Sequence, residues 1–122
     1  SNKISNLSYS QAMPDNSTRG IAQYLFNTNL WDTSGYYNNG MAVGAPIYST
    51  GHVGQAQSIA LDGTNSYAQL PANIAKGGAF TFAAWVYWNG GGNWQRIFDF
   101  GNDTSQYLFL TPSSGSSTLL TV

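Results

Sequence analysis

Five aspartates (Asp15, Asp32, Asp62, Asp99 and Asp103) are the only carboxylates in 122 residues, because the chain has no glutamate. Acid-base work on a sugar or an ester needs one group to give a proton while another takes one, and hence a close carboxylate pair or a nucleophile with its base. The aspartates are scattered. The single histidine, His52, sits in the turn Gly51-His52-Val53-Gly54, and with no second histidine and no cysteine it points neither to zinc nor to a catalytic triad. Gly90-Gly91-Gly92 is followed by neither a Lys-Ser/Thr pair nor a helix and so is not a phosphate loop.

Two aspartates stand in loops that suit other chemistry. Asp32-Thr33-Ser34-Gly35, with Asn38 and Asn39 behind it, gathers a carboxylate and neutral oxygens as calcium prefers, and Asp62 in Leu61-Asp62-Gly63-Thr64-Asn65 is a second donor of that kind. Either aspartate can instead cap its own backbone in an Asx turn, and Asp62-Gly63 also reads as a hairpin turn. Asp99, between Phe98 and Phe100, must find donors or face solvent; strict strand alternation puts the nearby Arg96 on the opposite face.

Aromatic rings are the richer resource. Trp31, Tyr36, Tyr37, Trp88 and Trp94 lie in or beside loops rich in Gly and Asn. Ring faces stack on the C–H faces of sugars while Asn, Gln and Arg fix the hydroxyls, so these residues are candidates for a saccharide platform centred on Trp94 and Arg96. The competing reading is that each ring caps the open end of a folded domain.

The composition frames that chemistry. With 42% hydrophobic and 15% aromatic residues the chain can bury a core, and at 122 residues it is one domain or part of one. Charged residues make up 7% and the net charge is −1, which leaves no footprint for nucleic acid or an anionic membrane surface. No window reaches the roughly 20 apolar residues of a membrane helix. Neither a nucleic-acid nor a membrane partner is expected, and any export signal is expected to have been removed or to lie outside this sequence. A surface of Asn, Ser, Thr and Gly suits a secreted or periplasmic module; Asn6-Leu7-Ser8, Asn16-Ser17-Thr18 and Asn102-Asp103-Thr104 are formal glycosylation sequons.

The elements that must position these residues read as strands. Apolar runs at 21–26, 45–48, 56–61, 67–70, 80–88, 96–100, 107–111 and 117–122 are separated by Gly, Asn and Ser clusters, and no run holds helical spacing beyond about two turns. The chain is therefore expected to be all-β, an antiparallel sandwich or a barrel. In 80–88 alternation puts Phe80, Phe82, Ala84, Val86 and Trp88 on one face and Thr81, Ala83, Trp85 and Tyr87 on the other. A hairpin is expected around Gly101-Asn102-Asp103-Thr104. Residues 1–18, polar and without period, read as an N-terminal arm or linker, and 19–122 as the sandwich domain.

The ordered blocks Tyr24-Leu25-Phe26, Asp32-Thr33-Ser34-Gly35, Gly51-x-x-Gly54-Gln55-Ala56, Leu61-Asp62-Gly63-Thr64-x-x-Tyr67, Phe80-Thr81-Phe82-Ala83-Ala84-Trp85-Val86 and Ile97-Phe98-Asp99-Phe100-Gly101 resemble the concanavalin A-like lectin/glucanase superfamily, in its laminin-G-like jelly-roll branch. The resemblance implies two antiparallel sheets of about six or seven strands each, packed face to face. It implies that the chain covers about the first two-thirds of such a domain, the remaining strands lying elsewhere or on a second chain. Modules of this branch accompany secreted glycoside hydrolases and adhesins, where they bind glycans or act as spacers, often with a structural calcium; carried over, the metal falls on Asp32 and Asp62. The Glu-x-Asp-x-Glu strand of the catalytic branch has no counterpart in a chain without glutamate. The expected function is thus a noncatalytic, lectin-like module beside a catalytic domain, and the alternative is a structural or protein-binding domain packed on a neighbour.

Overall fold

A computed structural model describes residues 2–13, 15, 17–52, 57–75, 78–102, 104–117 and 119–122. The expectations that fall on Asn16, residues 53–56, Asp103 and Thr118 lie outside the described residues. The chain is all-β with antiparallel sheets, the class of the β-sandwich, and no helix occurs among the described residues. It divides into two compact units, Ser1–Tyr87 and Trp88–Val122.

The first unit is built on β1 (Asn2–Ala12), β2 (Thr18–Tyr24), β3 (Met41–Val43), β4 (Ile47–Ser49), β5 (Ser58–Leu61), β6 (Tyr67–Gln69) and β7 (Phe80–Tyr87). β1 is the hub of the larger sheet and pairs with β2, β5 and β7, while β4 extends it from β5. β3 and β6 form a separate ribbon. β7 alternates as its sequence does, with Phe80, Phe82 and Ala84 half-buried and Thr81, Ala83, Trp85 and Tyr87 exposed.

The expectation of an arm at residues 1–18 is corrected by β1. Its apolar residues Ile4, Leu7 and Tyr9 are spaced by three and then by two, which breaks strand periodicity on paper. The fold absorbs the extra residue as an irregularity between Ser5 and Ser8 in the pairing with β7, with Asn6 at φ 46°. That offset returns Ile4, Leu7 and Tyr9 to the core, where Tyr9 is 0% exposed and stacks on Phe80 with 5.4 Å between ring centroids. Ala22, Tyr24, Phe26, Leu30, Ile59, Ala60 and Ile74 are the other buried hydrophobic residues of the unit among those described. Each large side chain so buried is worth about 1.5–3 kcal/mol over leaving it in water.

The Asp62 turn does not close a hairpin: β5 pairs with β1 and β4, whereas β6 pairs with β3, so the turn carries the chain from one sheet to another.

In the second unit β8 (Phe98–Gly101) and β9 (Tyr107–Leu110) form the expected hairpin, with Asp99 opposite Phe109 and Gly101 opposite Tyr107. Residues 117–122 do not form the expected strand. Among the described residues of this stretch, Ser117 O accepts from the Ser114 N–H, Thr121 forms an isolated bridge with Thr111, and Leu119, Leu120 and Val122 are exposed.

Candidate functional site

The site grows from the loop that precedes β8. Trp94 adopts φ 66°, the left-handed region that costs an L-residue roughly 1–2 kcal/mol. The surroundings hold it there: its N–H donates to the Ser113 carbonyl at 2.7 Å, and the Ser113 hydroxyl donates to Asn93 Oδ1 at 2.8 Å. Thr111, fully buried, donates to the same Ser113 carbonyl. The indole that results is 52% exposed and packs roughly perpendicular to the Phe109 ring at a centroid distance of 6.4 Å.

Arg96 supports this ring from behind. Its guanidinium carbon lies 3.7 Å from the Phe109 ring centroid and 5.9 Å from that of Trp94, while Nη1 donates to the Trp94 carbonyl. Nε lies 3.5 Å from Asp99 Oδ2. The expectation that Arg96 and Asp99 face opposite ways is corrected, because β8 begins only at Phe98 and the residues before it turn Arg96 onto the Asp99–Phe109 side of the hairpin. A guanidinium has five N–H donors, and the two named contacts use two of them.

Trp88 is half-buried and its Nε1 donates to Gln95 Oε1 at 3.4 Å. Beside Trp94 opens a polar recess of about 400 Å³ lined by Asn93, Ser113, Gly115, Ser116 and Ser117. Gly115 makes that proximity possible: a Cβ there would stand 3.3 Å from the Trp94 indole nitrogen, at φ +80°. Sequence reasoning brought Trp94 and Arg96 together but missed Phe109 and the Ser113–Ser117 hydroxyls. The alternation of Tyr107 and Phe109 in 107–111, and the Pro112-Ser113-Ser114-Gly115 turn, carried that signal.

Trp31, Tyr36 and Tyr37 belong to the first unit, on the Asp32 loop. All three are exposed, Tyr37 to 86% at φ 59°, and none stacks on another ring among the described residues. The loop is organised by Asp32. Oδ1 accepts from the Gln23 and Ser34 N–H groups and Oδ2 from the Ser34 hydroxyl and the Asn38 N–H, at 2.7–2.9 Å. Partial burial raises the Asp32 carboxyl, and these four donors together overcome it and leave the group below its ordinary value. Burial, and then the charge of Asp32, pushes the Tyr24 hydroxyl far up; that hydroxyl donates to the Asn38 carbonyl at 2.6 Å.

Asp62 Oδ1 accepts from the N–H groups of Thr64, Asn65 and Ser66 and from the Ser66 hydroxyl, which holds its carboxyl far below the usual range. These are Asx-turn geometries. A carboxylate offers about four lone-pair sites, and at Asp32 all four meet N–H or O–H donors, so a cation would have to displace them. No cluster of three or more His, Cys, Asp or Glu side chains occurs among the described residues. At Asp32 the carboxylate is thus committed to its own loop, whereas at Asp62 the four bonds all fall on Oδ1.

The comparisons with known proteins agree with the architecture. A laminin-G-type family model, described as the concanavalin A-like lectin/glucanases superfamily, matches residues 62–122, half of the chain, which include Trp88, Trp94, Arg96 and the recess. No curated protein and no solved structure matches significantly. Membership makes the chain compatible with glycan or protein binding. An all-β antiparallel chain whose second half matches that model belongs to the concanavalin A-like lectin/glucanases superfamily.

Proposed function

We propose that this chain is a noncatalytic carbohydrate-binding module, secreted or periplasmic, that holds a neighbouring glycan-active domain against a polysaccharide. The observation that carries the reading is Trp94: half exposed, fixed by Ser113 and backed by Arg96, at the rim of a recess lined by Asn and Ser. A sugar C–H face packs on such an indole while amides and hydroxyls beside it order the sugar hydroxyls. One shallow site binds weakly, and linkage to a second binding or catalytic domain raises the effective concentration.

The carboxylates favour a noncatalytic role. Asp15 accepts from the Ser17 N–H and hydroxyl, Asp32 and Asp62 organise turns, and Asp99 pairs with Arg96, so the four described aspartates all serve local structure. The rival reading, a domain that binds a protein neighbour, draws on the exposed Leu119, Leu120 and Val122. Glycan-array binding of the chain and of Trp94→Ala separates the two. Glycan binding that Trp94→Ala abolishes with the thermal midpoint nearly kept supports the lectin reading. No glycan bound, or a variant that only loses stability, supports the rival.

A further inference from the structure

A second concavity lies on the large sheet of the first unit. In the pairing of β1 with β7, Lys3 stands opposite Tyr87 and Ser5 opposite Trp85, and directly paired residues share a face. Trp85 and Tyr87 are exposed, at 51% and 61%. His52 lies flat on Trp85, with ring centroids 4.0 Å apart and planes 2° apart, and the His52 backbone N–H donates to Ser5 Oγ at 3.3 Å. The His52 ring thereby covers one part of the indole and helps shape a recess of about 270 Å³, whose lining includes Lys3, Thr50, His52, Trp85 and Tyr87.

The charge of this recess is one-sided: among the described residues Lys3 lines it and no carboxylate does, in a chain with only four Lys and Arg residues in all. Lys3 makes no ion pair among the described residues. Two exposed rings offer a surface for an apolar ring face, the ammonium offers a partner for one negative charge, and Thr50 and Ser5 offer hydroxyls. An aliphatic ring that carries hydroxyls and one anionic group uses all three.

We propose that this recess is a separate binding site for an anionic sugar unit, such as a uronic acid residue, stacked on Trp85 and Tyr87 with its acidic group on Lys3. The site is independent of Trp94, so it stands or falls apart from the lectin reading of the second unit.

The test is calorimetric titration of the whole chain with trigalacturonate and with its methyl ester, the same sugar without the charge, at low and high salt. The acid is expected to bind about two- to fivefold more tightly than the ester, the scale of one solvent-exposed ion pair, and the gap is expected to close in high salt. Lys3→Gln, a half-exposed position that should leave the thermal midpoint unchanged, is expected to erase the preference; Trp85→Ala should lose both ligands. Trp94→Ala should keep both. Loss of both ligands in Trp94→Ala overturns the proposal, because the binding then belongs to the other site. Equal affinity for acid and ester, a preference that survives Lys3→Gln, or no binding of either ligand overturns the proposal. Benzoate bound as tightly as the sugar acid overturns the assignment to a sugar.

Discussion

The guanidinium carbon of Arg96 lies 3.7 Å from the centre of the Phe109 ring, much nearer than the 5.9 Å that separates it from Trp94. Arg96 is therefore a support for the indole rather than its partner in a ligand sandwich. It uses Phe109 as a floor, the Trp94 carbonyl as an acceptor and Asp99 as a counterion.

Arg96→Lys is expected to lower the stability of the second unit by about 1 kcal/mol, since an ammonium keeps the charge but loses the planar stack and the fork of donors. Glycan affinity should fall less than in Trp94→Ala. Urea unfolding followed by tryptophan fluorescence checks the first statement; a midpoint equal to the parent's would show that the stack carries no stability.

Asp32 is expected to set the acid limb of stability. Its folded carboxyl lies below the ordinary value near 3.9, so its contribution is present above that value and is lost as pH falls through the lower, folded one. The thermal midpoint should hold from neutral pH to about 5 and decline below about 4. Asp32→Asn should cost about 1–3 kcal/mol at neutral pH, because Nδ2 cannot accept from the backbone donors, and should flatten the acid limb. Asp62, shifted the same way, keeps part of the slope. Identical acid limbs in parent and variant would refute the assignment. Calcium is expected to leave the midpoint of both unchanged.

Gly44→Ala should be among the most damaging single substitutions in the first unit. A Cβ at this position would lie 2.2 Å from the Asn65 carbonyl oxygen, a backbone atom that cannot swing aside, and φ is +72°. A loss of at least about 2 kcal/mol is expected in chemical denaturation. A variant within about 0.5 kcal/mol of the parent would mean that the Asp62 turn moves freely.

Tyr9→Ala tests the place of β1. A surface arm would tolerate the change, whereas a core ring stacked on Phe80 should cost about 3–5 kcal/mol on truncation. Differential scanning calorimetry reads the difference directly.

The strand class was legible in the sequence because period-two runs and turn residues are local signals: 80–88 and the hairpin of 96–100 with 107–111 came out within a few residues of β7, β8 and β9. Strand β1 was not, because its period is broken at Asn6 and only pairing with β7 shows that the break is a bulge. The aromatic and aspartate loops were visible as composition, and half of the chain matches the family that the ordered blocks resembled. By itself the sequence determined an all-β chain, poor in charge, with rings in its loops and no glutamate. Only the tertiary structure decided that Asp32 and Asp62 serve their own turns, that Arg96 lies on Phe109, and that Lys3 meets Tyr87 across two strands. The physical reason is range: alternation and turn chemistry act over a few neighbours, whereas donors for a carboxylate and partners for a ring are chosen by how distant segments pair.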